Sequence, residues 1–133
     1  MARKVSSFST LVTCIAGSFD CIGNVALTDR EVAFNQQINA ITPKKGIDPF
    51  FLYCLLLNGK KMIQNASTNS MKGMVSKGKF EQILFFKPHA TLQKKFGSFF
   101  QNYSKSIDKM RISERLSNAF FNSLTQRAFR GEL

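Results

Sequence analysis

The sequence predicts an α/β (α+β) chain in which a small mixed or antiparallel sheet with short helices precedes one long C-terminal helix. Three observations carry this. Segments at 11–16, 21–27 and 32–41 read as short strands separated by turn residues. Asp48-Pro49 stands before the apolar run FFLYCLLL, as an N-cap and a first-turn proline stand before a helix. After Pro88, more than forty residues follow without another proline, and apolar side chains recur there at steps of three and four.

Taken in order, Leu11–Ala16 is a strand closed by Gly17-Ser18. Cys21–Leu27 is a second strand containing Gly23, and Thr28-Asp29-Arg30 turns the chain again. In VAFNQQINAI the apolar residues fall at 32, 34, 38 and 41, which predicts one strand bulged or bent at Asn35-Gln36-Gln37. Pro43–Gly46 is a loop. The helix capped by Asp48 is expected to run through Leu57 to about Ile63. Gln64–Lys79 is a polar loop with Gly and Lys, interrupted by Met74-Val75. Phe80–Ile83 then forms a short turn, and Leu84–Lys87 a final strand ended by Pro88.

The long helix is expected from Ala90 to about Gln126, roughly 55 Å at 1.5 Å per residue. Its apolar stripe is Leu92, Phe96, Phe99, Tyr103, Ile107, Met110, Leu116, Phe120 and Leu124, and Gly131 lies just beyond as a stop. A break at Ile112-Ser113, giving a hairpin that folds back on its own domain, is the alternative. The division expected is therefore a domain at 1–88 and a long coiled-coil-like helix at 89–133. A continuous rod would outrun the core that the remaining residues offer. Its seam (Leu92, Phe96, Phe99, Tyr103, Ile107, Phe120, Leu124) is thus expected to face a partner. Ser106, Ser113 and Ser117 occupy seam positions where apolar residues would be wanted, so it reads as a poor isolated coiled coil.

Composition narrows the function. With 133 residues, 44% of them hydrophobic, and 14 Phe, the chain can bury a core. A net charge of +11 favours polyanionic partners, nucleic acid foremost. Both parts contribute, with 11 basic and 5 acidic residues in 1–89 and 8 and 3 in 90–133. Between Pro49 and Phe80 stand five lysines (Lys60, Lys61, Lys72, Lys77, Lys79) and no acid. Three cysteines without close pairing, Cys14, Cys21 and Cys54, argue for a reducing cytoplasm. The N-terminal run faintly imitates a signal peptide, but its five Ser and Thr make it too polar. No stretch approaches the roughly 20 apolar residues of a membrane span.

Catalytic and metal sites are not expected. The eight acids are scattered, one His and no Cys-x-x-Cys leave too few zinc ligands, and no phosphate-binding glycine motif occurs. His89, after Pro88, reads as a surface or capping residue. The best nucleic-acid patch is QNASTNSMKGMVSKGK with the lysines before it. Lysines neutralise phosphates, while amides and hydroxyls read base edges. That names Lys60, Lys61, Gln64, Asn65, Ser67, Thr68, Asn69, Lys72 and Lys77 as the DNA-contacting set. The bland alternative is a solvated loop.

Four stretches, CIAGSFDCIGNVAL, FNQQINAI, FFLYCLL and ILFFKPHATLQKKF, with the terminal SLTQRAFRGEL, together resemble the specificity subunit of type I restriction–modification systems. The similarity extends from about Leu11 to Leu133. It implies a target-recognition domain that grips double-stranded DNA and reads one half of a split site. It also implies a spacer helix that sets the distance between halves and docks the methyltransferase (modification) subunits, with the restriction subunits joining that core. No active site and no cofactor are implied. The chain departs from the pattern in having one domain and one helix instead of two of each, no opening segment to its domain, and Pro88-His89 where two prolines are frequent. The expectation is a truncated recognition domain from a split or interrupted gene. A second specificity chain, or a second copy, would then supply the missing half. Two alternatives stay open: an interaction fragment that pairs through its helix without reading DNA, and a generic basic nucleic-acid-binding protein.

Overall fold

The computed structural model describes residues 3–68 and 73–132. The described residues form an α+β chain with two small antiparallel sheets, three short helices and one long one. Contacts divide it after Gly97 into a first unit and a second unit, Ser98–Leu133.

In the first unit, β1 (Arg3–Val5) pairs antiparallel with β4 (Val32–Phe34), with Lys4 opposite Ala33. The second sheet has the order β3–β2–β5, from Val25–Leu27, Thr10–Thr13 and Ile38–Ile41. In central β2 the alternate residues Thr10 and Val12 are buried, the period of two that a pleated strand imposes. The strand foreseen over 32–41 is thus two strands in different sheets. Asn35 makes the division, its Oδ1 accepting from the Gln37 N–H at 3.0 Å, a local turn that competes with strand pairing. The strand foreseen from Cys21 starts only at Val25. Phe19–Cys21 forms a 3-10 turn, and Gly23 has φ +79. A Cβ at Gly23 would also lie 3.0 Å from Lys60 Cγ, so both conformation and space require glycine there.

Helix α1 (Pro49–Asn58) begins as its sequence dictates: Asp48 Oδ1 accepts from the N–H of Phe50 at 3.0 Å and of Phe51 at 2.9 Å. It does not reach Ile63 unbroken. It ends at Gly59, where a Cβ would overlap the Phe85 ring, and the chain resumes as α2 (Lys60–Asn65). Val12, Cys14, Ile22, Leu56, Ile63 and Val75 form the buried core, with Leu52, Phe80, Ile83 and Phe85 packed against it. Met74 bridges Ile15, and Val75 N–H donates to Cys14 O at 2.8 Å, which ties the end of the polar loop to the sheet. Helix α3 (Lys77–Glu81) follows.

Leu84–Lys87 is not a strand. Its side chains do alternate, Ile83 and Phe85 turning inward and Leu84 and Phe86 outward. The segment has the pattern of a strand but lacks a pairing neighbour among the described residues.

Helix α4 (Ala90–Phe129) has 40 residues and passes through Ile112-Ser113 without a break. At 1.5 Å per residue it measures about 60 Å. It ends in a Schellman motif: Gly131 at φ +68, with Glu132 N–H donating to Arg127 O at 2.9 Å and Gly131 N–H to Ala128 O at 3.1 Å. Within the second unit, Phe99 and Tyr103 stack with centroids 6.4 Å apart. No helix among the described residues is long and apolar enough to cross a membrane.

Candidate nucleic-acid interface

The sequence-selected set is organised by α2. Ile63 is fully buried and anchors this helix in the core, and the polar residues divide around it. Lys60 Nζ donates to Asn24 Oδ1 at 2.7 Å, and Gln64 Nε2 donates to Phe19 O at 3.3 Å. Both are half-buried and fasten α2 to the 19–24 turn. Lys61 and Asn65, four residues apart, share a face of the helix and are exposed.

Ser67 and Thr68 follow, both half-buried. Thr68 N–H donates to Met74 O at 3.0 Å, which closes the base of the loop. Asn69 and Lys72 lie outside the described residues. Lys77 opens α3, 3.7 Å from Glu81 in an exposed i,i+4 pair. It lines a cavity of about 430 Å³ with Leu52, Leu56, Phe80 and Phe85. Asn65 instead shares a cleft of about 320 Å³ with Lys79, Gln82 and Ile83. Lys79 therefore joins Asn65, whereas Lys77 lines the other cavity. The acid-free lysine run in the sequence contained Lys79, but nothing in spacing alone brought it to Asn65.

The seam residues of α4 divide likewise. Leu92, Phe99, Tyr103 and Phe120 are exposed, and Ile107 and Leu124 are half-buried. Phe96, 38% exposed, sets its ring edge-on to Phe51 with centroids 6.0 Å apart. Gln93, Gly97 and Asp48, which sequence reading passed over as a group, meet in the first unit. Gln93 is fully buried; its Oε1 accepts from Asp48 N–H at 3.1 Å and its Nε2 donates to Pro88 O at 2.8 Å.

The residues with potentially nucleophilic or basic side chains are placed otherwise. His89 Nδ1 accepts from Thr91 N–H at 3.4 Å and lies 3.2 Å from Thr91 Oγ1, a capping position at the start of α4. Burial pushes the Cys14 thiol above its ordinary value, although Asn39 Nδ2 donates to its Sγ at 3.2 Å, and burial raises Cys54 as well. Neither is an activated thiolate. Among the described residues no cluster of three His, Cys, Asp or Glu could hold a metal ion.

Compared with known proteins, residues 8–118 match the sequence model of a family described as type I restriction modification DNA specificity domain. That match covers β2 to β5, α1 to α3 and most of α4. No curated protein matches the chain.

Proposed function

The chain belongs to the type I restriction modification DNA specificity domain family, and from that premise we propose that it is the non-catalytic DNA-reading component of a type I restriction–modification complex. In this reading the first unit reads one half of a split site in double-stranded DNA. The seam of α4 docks the methyltransferase subunit, and the restriction subunits join the assembly. The observation that carries it is the family match across both the sheet and the long helix.

Within that reading, Lys61, Lys72 and Lys77 neutralise phosphates, and Asn65, Ser67, Thr68 and Asn69 face base edges. Lys60 and Gln64 contact DNA from positions braced by the 19–24 turn. The +11 charge supplies long-range attraction but no sequence choice. The test is to co-express the chain with its modification subunit and map modified bases in host DNA. A recurrent split motif supports the reading. Modification without a motif, or binding that random duplex competes away equally, rejects it in favour of a generic basic binder.

A second reading, pairing of α4 with a second copy or another specificity chain, is favoured by the order of large and small seam residues. When two antiparallel copies are laid with their centre at Asp108, Phe99 falls opposite Ser117, Tyr103 opposite Ser113 and Met110 opposite Ser106. Phe96 then meets Phe120, and Leu92 meets Leu124. Each serine that weakens the seam of one helix faces a large side chain of the other, as interdigitated packing requires. Light scattering on the purified chain is the check: a dimer supports this pairing, and a monomer at all concentrations removes it.

A further inference from the structure

Three contacts converge on one face of the first turns of α4, all within the first unit. Gln93 spends its amide on two backbone groups, Asp48 N–H and Pro88 O. One turn later Gly97 is buried with its Cα flush against Asp48, and a Cβ there would lie 2.6 Å from Asp48 Cγ. Between them Phe96 meets Phe51 edge-on. The same Asp48 caps α1 through the N–H groups of Phe50 and Phe51. Residues 93, 96 and 97 lie at the i, i+3, i+4 spacing of a single helix face. Turning α4 by one residue, about 100°, would bring Phe96 or Ser98 to the carboxylate in place of the glycine.

An apolar side chain at 93 could fill the same space. A buried amide that must find one particular donor and one particular acceptor fixes the phase as well, and registry is the best-attested use of buried polar groups. We infer that Gln93 and Gly97, acting through Asp48, are positioning residues that set the phase of the first turns of α4 within the first unit. They thereby set the gap between half-sites that the assembled complex accepts. This rests on the split-site reading given above.

The test uses the full chain in complex with its modification subunit, with modified bases mapped in host DNA for wild type, Gly97→Ala and Gln93→Asn. Asparagine keeps the amide but is one methylene too short to span Asp48 N–H and Pro88 O. Positioning predicts unchanged half-site bases and a new gap length, one base pair longer or shorter, rising at least tenfold in frequency. A merely structural role predicts one gap length throughout, with modification falling in proportion at every site, and that result would overturn the inference. Should Gly97→Ala fail to assemble, Gln93→Asn decides alone. Should wild type modify no site, the split-site reading fails instead. The Gln93 amide's hold on Asp48 N–H and Pro88 O is then judged by amide hydrogen exchange over residues 90–97. A roughly tenfold rise in Gln93→Asn upholds it, and unchanged exchange refutes it.

Discussion

Asp48 performs two tasks with one side chain, capping α1 and seating Gly97. Asp48→Ala removes the cap and should cost about 1 kcal/mol in urea unfolding, whereas Asp48→Asn, which retains an acceptor oxygen, should cost less. Thr10 presents the opposite case. Its Oγ1 is buried with no hydrogen-bond partner among the described residues, so Thr10→Val, nearly the same shape, should raise stability by about 1 kcal/mol. The cysteines give a third test. Cys21 is exposed while Cys14 and Cys54 are buried, so a thiol reagent should label one site rapidly and the other two only after denaturation. Burial raises both buried thiols above their ordinary value of 9.0. Above that pH the unfolded thiols lose protons that the folded ones keep, so their contribution is intact below about pH 9 and is lost as pH rises through the raised folded values. The urea midpoint should therefore drop between pH 8 and 10, and less steeply in Cys14→Ala.

Elements bounded by local chemistry were legible in the sequence. Asp48-Pro49 announced the start of α1, Gly131 announced the end of α4, and a helix from Ala90 to about Gln126 followed from the spacing of its apolar residues, against an observed end at Phe129. Elements bounded by tertiary contact were not. Gly59 ends α1 at a position where a Cβ would overlap the ring of Phe85, twenty-six residues away in sequence. The 84–87 segment carries the right alternation but has no neighbouring strand among the described residues. The separation of β4 from β5 coincides with Asn35 Oδ1 accepting from the Gln37 N–H. The lysine run marked the candidate interface, yet spacing did not show that Lys60 and Gln64 brace α2 or that Lys79 joins Asn65. For α4 the expected outcome is specific: Phe99→Asp should abolish capture of the methyltransferase subunit, and an unchanged capture would show that Phe99 lies outside the docking seam.

Across the molecule, an excess of basic residues in both the 1–89 and 90–133 stretches means that duplex affinity should fall with salt. The slope of log affinity against log salt should be roughly −0.9 per phosphate neutralised. Replacing Lys61 with Ala should flatten that slope by about one and weaken all sequences alike, while Asn65→Ala should chiefly loosen discrimination, by about 1–3 kcal/mol at one base pair. Both are measured by titration against cognate and scrambled duplexes.

Thr68 and Met74 are joined at the base of the polar loop, and Val75 immediately beyond is fixed to Cys14. Gly73, buried against Ile22 and Ser67, belongs to the same anchored base. On the reading proposed above, a lineage carrying this scaffold would acquire a new target by exchanging a few codons, those of Asn65, Ser67 and Thr68 among them, while the backbone bonds at the base of the loop are left untouched.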